Sequence, residues 1–131
     1  MPLLTILVED SATIRESLIP AMVEFADAEI IAVAETAAEG IAALKKHAGA
    51  WRLAVVDVFL KEGNGLDVLR AVGPRNAGQR VVVLTNYATA DLRRRAFAAG
   101  ADAVFDKSTE IDQFLDLCRT YAEDESGPQG R

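Results

Sequence analysis

The sequence predicts an α/β protein with one five-stranded parallel sheet and helices on both of its faces. Five short apolar runs alternate with longer segments in which apolar residues recur every three or four positions. Some runs, such as VVVL at residues 81–84, are apolar throughout, which is typical of strands buried on both faces. Repeated strand–helix–strand units joined by short links favour parallel strands with right-handed crossovers. A chain of 131 residues is long enough for one such domain and too short for two.

Each element has its own signal in the sequence. The predicted strands are residues 3–8, 30–34, 53–58, 81–84 and 103–105. The apolar stripes of the five helices are Ile14, Leu18, Met22 and Phe25; Ala37, Ile41 and Leu44; Leu66, Leu69 and Val72; Leu92, Ala96 and Ala99; and Ile111, Phe114, Leu115 and Cys118. The predicted helix ends are a capping box of Thr13 and Glu16, an N-cap at Ser108, and stops at Gly73 and Gly100.

Composition excludes several classes of protein. The formal net charge of −6 argues against nucleic-acid binding, which normally needs a basic surface. The single cysteine cannot form an internal disulfide, and no apolar run approaches the ~20 residues that span a bilayer. The N-terminus lacks a basic leader, so we expect a cytoplasmic protein with no membrane contact. Residues 123–131 show no apolar period, which predicts a folded domain at 1–122 followed by a polar tail.

Charged and polar side chains follow the predicted strands at one edge of the sheet. The first strand delivers Glu9 and Asp10, the third Asp57, the fourth Thr85 and the fifth Lys107. Ligands of such sheets bind beyond the carboxyl ends of the strands, so we expect these groups to converge. Three neighbouring carboxylates are costly unless a divalent cation neutralises them, and hard oxygen ligands suit Mg²⁺. With a lysine and a hydroxyl beside them, they indicate a phosphoryl-transfer centre in which an aspartate can be the nucleophile.

Four motifs in order resemble the receiver domain of bacterial response regulators. They are ILVEDS at the first strand, VVDVFLKEGNG at the third, VVLTNYA at the fourth and GADAVFDKS at the fifth. The spacings also match, with 47 residues from Asp10 to Asp57, 28 from there to Thr85 and 22 more to Lys107. The resemblance covers residues 4–121 and implies a flavodoxin-like, doubly wound (βα)5 fold with strand order 2-1-3-4-5.

The resemblance implies a magnesium site around a phosphoacceptor. Asp57 would accept the phosphoryl group. Asp10 would bind Mg²⁺ directly and Glu9 through water, while Asp57 and the backbone carbonyl of Phe59 would be further ligands. Lys107 would pair with the carboxylate and then with the phosphoryl oxygens.

The resemblance also implies a function in two-component signalling. The phosphoryl group would come from a histidine kinase or a histidine phosphotransfer protein, and Thr85 would turn inward to bind it. The signal would pass to a downstream protein partner through protein–protein contacts. The resemblance leaves open whether phosphorylation also produces a homodimer. Such a protein is not an enzyme beyond phosphorylating and dephosphorylating itself. The polar tail favours a stand-alone domain over a fragment of a longer regulator.

Several positions depart from the family pattern. Leu60-Lys61 stand where Met-Pro is common. Phe59 and Tyr87 flank the expected path of attacking water, from which we predict slow hydrolysis of the phosphorylated form. The aromatic residue that usually lies three positions before the active-site lysine is replaced by Val104, with Phe105 next to it, so the usual aromatic coupling is in doubt.

Two other classes of protein share this order of strands and helices. A flavodoxin-like flavin-binding module would need a phosphate loop rich in Gly, Ser or Thr after the first strand, where this chain has Glu9-Asp10-Ser11. A phosphohydrolase with an aspartate nucleophile normally has a second aspartate two residues later, where this chain has Phe59. Flavin absorbance, or turnover of a generic phosphatase substrate, would support these alternatives.

Overall fold

Strands and helices alternate without exception along the part of the chain that the computed structural model describes, residues 2–124. The strands are β1 (Leu3–Val8), β2 (Ala28–Ala34), β3 (Leu53–Val56), β4 (Arg80–Thr85) and β5 (Ala103–Asp106). The helices are α1 (Ala12–Ala26), α2 (Ala37–Lys46), α3 (Gly65–Val72), α4 (Ala90–Ala98) and α5 (Ile111–Glu123). No helix in this range is long and apolar enough to cross a membrane.

The five strands form one parallel sheet in the order β2-β1-β3-β4-β5, which confirms the predicted fold. Helices α1 and α5 cover one face, where Leu7, Leu84 and Phe114 belong to one apolar core. Helices α2, α3 and α4 cover the other face, where Val56 and Val83 belong to a second core. Burial on both faces explains why these strands are continuous apolar runs instead of alternating ones.

Two of the predicted helix starts are wrong. Helix α1 is capped by Ser11, whose hydroxyl accepts a hydrogen bond from the Ile14 N–H at 3.2 Å, so the capping box at Thr13 and Glu16 does not form. Helix α5 begins after Glu110 without a side-chain cap. Ser108 instead donates its backbone N–H to the Asp106 carboxylate at 2.8 Å, which fixes the turn that follows β5. The residue that caps α1 thus lies two positions before the predicted one, whereas the first turn of α5 has no side-chain cap.

The predicted stripes hold except at one residue. Phe25 shares the stripe of Leu18 and Met22, but its side chain is 56% exposed. It lines a surface groove in which three of the four facing residues of α5 are charged, namely Asp112, Asp116 and Arg119, and the fourth is Leu115. The predicted stops at Gly73 and Gly100 are confirmed, since both have positive φ at the ends of α3 and α4.

The ends of some elements differ from the prediction by one or two residues. Strand β3 ends at Val56 and not at 58, because the chain turns at Asp57 toward the start of α3. Helix α5 reaches Glu123, one residue into the predicted tail. The rest of that tail, residues 125–131, lies outside the described residues, so the boundary between domain and tail stays a prediction.

Candidate functional site

The polar residues predicted to converge do meet at the carboxyl edge of the sheet, meaning Glu9, Asp10, Asp57, Thr85 and Lys107. All five line one open cleft of about 300 Å³. Three of them, Glu9, Asp57 and Thr85, are buried, with 2%, 7% and 0% of their surface exposed. Parallel strands end at the same edge, so residues distant in sequence become neighbours there.

Lys107 lies between two buried carboxylates. Its Nζ is 2.5 Å from Glu9 Oε1 and 2.9 Å from Asp57 Oδ2. Burial raises the pKa of the Glu9 carboxyl, and its hydrogen bond with Lys107 offsets only part of this rise. Burial acts to lower the pKa of Lys107, but hydrogen bonds to Glu9 and Asp57 outweigh it and raise that pKa above its usual value. The ammonium is therefore a fixed positive charge beside Asp57.

Glu9, Asp10 and Asp57 together form a group that fits a divalent cation. One carboxylate oxygen from each residue lies within 4.8 Å of the other two. Three carboxylates face a single ammonium, so the group has a formal charge of −2, which a divalent cation would balance. Oxygen donors of this kind are those that Mg²⁺ prefers.

Backbone N–H groups orient all three carboxylates, and the Ser11 N–H donates to Glu9 Oε2 at 3.1 Å. The other two donors lie in the loop between β3 and α3. The Phe59 N–H donates to Asp57 Oδ1 at 3.2 Å, and the Lys61 N–H donates to Asp10 Oδ2 at 2.6 Å. This loop therefore orients both Asp57, the candidate nucleophile, and Asp10, a candidate metal ligand.

Gly65 allows α3 to start directly against the turn at Asp57. A Cβ atom at Gly65 would lie 2.1 Å from the Asp57 carbonyl oxygen and 2.7 Å from Val58 Cα, distances that no side chain tolerates. The Gly65 N–H also donates to the Val58 carbonyl at 2.9 Å. Glycine is needed here because two backbone segments touch, and this contact fixes the position of Asp57.

Two exposed aromatic residues border the cleft. Phe59 and Tyr87 meet edge to face, with ring centroids 5.2 Å apart and ring planes at 82°. Their side chains are 51% and 63% exposed, and both line the cleft that contains Asp57. Phe59 therefore lies at the site, while the role of its carbonyl as a metal ligand stays a prediction.

Comparison with known proteins assigns the family. A family model described as a response regulator receiver domain matches residues 5–119. The chain belongs to this family. Response regulator receiver domains act in two-component signalling, and the matched range includes all five polar residues of the cleft. The matches give no support to a flavin-binding module or a phosphohydrolase.

Relatives of this receiver domain include bacterial regulatory proteins. The acid tolerance regulatory protein ActR of Rhizobium meliloti (strain 1021) is 36% identical over 89 residues, which are 65% of this chain and 43% of ActR. The photosynthetic apparatus regulatory protein RegA of Rhodobacter capsulatus is 36% identical over 80 residues, which are 61% of this chain and 42% of RegA. The match thus spans less than half the length of these curated relatives.

A solved structure supports the fold independently. A CheY-like response regulator receiver domain protein from Methanospirillum hungatei JF-1 superposes with a TM-score of 0.79. The superposition covers 98% of this chain and 99% of that one, at 24% sequence identity. At this identity the similarity concerns the fold alone.

Val104 and Phe105 lie on opposite faces of β5. Val104 is buried in the core beneath α4, whereas Phe105 packs against Phe114 of α5 with ring centroids 6.0 Å apart. Phe105 therefore does not replace the aromatic residue that the family commonly has on the α4 face. On that face Arg93 of α4 donates to the Val104 carbonyl at 2.9 Å and pairs with Glu110 at 2.8 Å.

Sequence reasoning missed a further acidic residue at this edge. Glu35 directly follows β2, and its carboxylate pairs with Arg15 Nη2 at 2.9 Å and with Lys61 Nζ at 3.2 Å. The rule that located Asp57, which is to inspect the residue after each strand, finds Glu35 when it is applied to β2 as well.

Proposed function

We propose that this receiver domain accepts a phosphoryl group on Asp57 in a Mg²⁺-dependent reaction. The observation that carries the proposal is the position of Lys107, whose buried ammonium joins Asp57 and Glu9 inside a group of three converging carboxylates. Positioning and charge neutralisation account for most of the catalysis in phosphoryl transfer, and this group supplies both.

The Asp57 carboxylate is held for attack on phosphorus. Lys107 binds its Oδ2, and the Phe59 N–H binds its Oδ1. A carboxylate oxygen forms the new P–O bond while the P–N bond of a phosphohistidine breaks and the imidazole nitrogen keeps the electron pair. The product is an acyl phosphate on Asp57.

Lys107 and Thr85 would bind the transferred group. The ammonium is close enough to Asp57 to exchange the carboxylate for a phosphoryl oxygen. The Thr85 hydroxyl, which accepts a hydrogen bond from the Tyr87 N–H at 3.4 Å, would donate to the same group after turning inward. That movement would pull on the loop between β4 and α4, which connects the site to α4.

Asp10 and Asp57 would hold the cation, with Glu9 behind them acting through water and the Phe59 carbonyl as a further ligand. Bound Mg²⁺ would neutralise the negative charge that collects on the phosphoryl oxygens and the carboxylates. Asp10 suits this role because the Lys61 N–H fixes its Oδ2, so the carboxylate is oriented before the cation arrives.

The partners are proposed at the level of their chemistry. A histidine kinase or histidine phosphotransfer protein would donate the phosphoryl group, and a downstream protein would read the phosphorylated state, in the cytoplasm. Catalysis would be limited to the phosphorylation and dephosphorylation of the domain itself. Whether phosphorylation also produces a homodimer is a question for measurement of the mass in solution.

Intact-mass spectrometry tests the central assignment. The domain is incubated with Mg²⁺ and phosphoramidate, a small donor with the P–N bond of a phosphohistidine. We expect the wild type to gain one phosphoryl group, and Asp57→Ala or chelation of the metal to abolish the gain. Asp67→Ala is the matched control, since Asp67 is an exposed carboxylate on α3 whose one ion pair within residues 2–124 is with Arg70. Labelling of Asp57→Ala at the wild-type rate would refute the assignment.

A further inference from the structure

Glu35, in the loop between β2 and α2, links helix α1 to the loop between β3 and α3. It is the first residue after β2, and its two carboxylate oxygens bind different cations: Oε2 binds Arg15 of α1 at 2.9 Å, and Oε1 binds Lys61 of the β3–α3 loop at 3.2 Å. Its own N–H donates to Glu39 Oε1 at 2.8 Å, which fixes its backbone at the start of α2.

Each cation that Glu35 binds also contacts a residue of the metal site through the backbone. Arg15 Nη1 donates to the Glu9 carbonyl at 2.8 Å. Lys61 donates its N–H to Asp10 Oδ2 at 2.6 Å. The bridge Arg15–Glu35–Lys61 is therefore connected to the β1–α1 loop at two points, the Glu9 carbonyl and the Asp10 carboxylate.

Backbone hydrogen bonds also join the loops that carry the bridge. The Ala37 N–H donates to the Glu62 carbonyl at 3.0 Å, and the Glu9 N–H donates to the Ala34 carbonyl at 2.9 Å. These backbone bonds place the loops next to one another but do not orient the Asp10 carboxylate. That carboxylate is oriented by the Lys61 N–H, and Glu35 holds the side chain of the same lysine.

We infer that Glu35 is a positioning residue for the divalent cation, acting through Lys61 and Arg15 on Asp10 and Glu9. The inference rests on the proposed function. Groups that orient metal ligands commonly affect metal affinity even though they do not touch the ion. Glu35 would therefore set how tightly the cation binds and leave unchanged the rate of phosphoryl transfer once the cation is bound.

Direct measurement of cation binding tests this inference. Isothermal titration calorimetry with Mg²⁺ is compared for the wild type, Glu35→Gln and Glu62→Gln. Glu62 is the matched control, because it neighbours Lys61, loses the same charge and makes no ion pair within residues 2–124. We expect Glu35→Gln to weaken Mg²⁺ binding about three- to tenfold, since the two exposed pairs that it loses are individually weak. Glu62→Gln should stay within about twofold of the wild type.

A second variant separates positioning from simple charge. Lys61→Met removes a positive charge beside a cation site, which by itself would tighten Mg²⁺ binding. If the bridge acts by positioning, Lys61→Met weakens binding as Glu35→Gln does, and Lys61→Arg, which can keep the pair, preserves it. Tighter binding by Lys61→Met, or equal weakening by Glu35→Gln and Glu62→Gln, would overturn the inference.

Phosphorylation kinetics distinguish the two proposals. For Glu35→Gln, the Mg²⁺ concentration at half-maximal labelling of Asp57 should rise while the maximal rate stays at the wild-type value. Circular dichroism before each titration confirms that the variants are folded. A wild type that binds no Mg²⁺ and is never labelled would refute the proposed function and this inference together. If the wild type binds Mg²⁺ and is labelled, but Glu35→Gln binds Mg²⁺ with the wild-type affinity, only the inference about Glu35 is refuted.

Discussion

The two edges of the sheet contain similar polar residues, but the negative charges are unbalanced at one edge and paired at the other. At the carboxyl edge, Glu9, Asp10 and Asp57 converge, and among the described residues their one ion-pair partner is Lys107, which binds Glu9 and Asp57. At the amino edge, formed by Trp51, Gln79 and Asp102 just before β3, β4 and β5, the polar side chains have hydrogen-bond partners within the fold. The Gln79 side chain donates to the Trp51 carbonyl at 3.0 Å and accepts from the Asn76 N–H at 3.0 Å.

Asp102 shows the contrast most clearly. Its Oδ2 accepts from the Val81 N–H at 2.7 Å and from Arg75 Nη2 at 3.0 Å, and the same Arg75 nitrogen donates to the Gly100 carbonyl at 2.8 Å. This aspartate ties β4, β5 and the α3–β4 loop together. The Asp102 carboxylate has its own cationic partner and stabilises the fold. The three carboxylates of the carboxyl edge share one ammonium, and their excess negative charge favours binding of a cation.

The largest expected effect is at the carboxyl edge. Asp10→Asn removes one of three carboxylates that would hold Mg²⁺, so we expect its Mg²⁺ affinity to fall at least about tenfold. Without Mg²⁺ the free energy of unfolding should stay the same or rise, because one of three mutually repelling charges is gone. Calorimetry and urea denaturation measure the two quantities. Unchanged Mg²⁺ affinity would show that Asp10 is not a ligand.

A smaller effect of the opposite kind is expected at the amino edge. Asp102→Ala leaves the Val81 N–H without its acceptor and removes the ion pair with Arg75, which should lower the free energy of unfolding by about 1–2 kcal/mol. Its Mg²⁺ affinity should equal that of the wild type. Asp116→Ala on α5 is the control, because its exposed pair with Arg119 should contribute less than about 0.5 kcal/mol. Equal stability losses for the two variants would remove the distinction between the edges.

The smallest expected effect concerns access of water to the carboxyl edge. If Phe59 and Tyr87 shield the acyl phosphate on Asp57, Tyr87→Ala should hydrolyse about two- to tenfold faster, a change comparable to the ~0.5–1.5 kcal/mol of one aromatic pair. Loss of phosphorylated mass over time after removal of the donor gives the rate. Phe97→Ala controls for loss of an exposed aromatic residue, since Phe97 is 50% exposed and lines no part of the cleft. A wild-type half-life of seconds would contradict the shielding.

Much of the site could be predicted because it lies where strands end. Glu9, Asp57 and Thr85 each come at the end of an apolar run, and a parallel sheet brings such ends together whatever lies between them. Details of the helices were less predictable. Phe25 has the helical period of a buried residue, but burial also needs neighbours that cover it, and three of the four residues of α5 that face Phe25 are charged.

Caps show the same limit on a smaller scale. Ser108 has the chemistry of an N-cap, yet its N–H binds Asp106. The N-cap position of α5 is Glu110, two residues after Ser108. A serine, a threonine and an aspartate in one loop offer several local hydrogen-bond patterns of similar energy. The packing of the elements on either side of the loop selects among them.

The sequence by itself determined the order of elements, the parallel sheet and the set of polar residues at its carboxyl edge, because these follow from local periodicity and from where each apolar run stops. The family resemblance implied that Lys107 pairs with Asp57, but only the tertiary structure decided that Lys107 also pairs with Glu9, and Glu35 with Arg15 and Lys61. It also decided that Phe105 faces α5. Such contacts join residues far apart in the chain, and their geometry depends on how neighbouring loops and helices pack, which no local pattern contains.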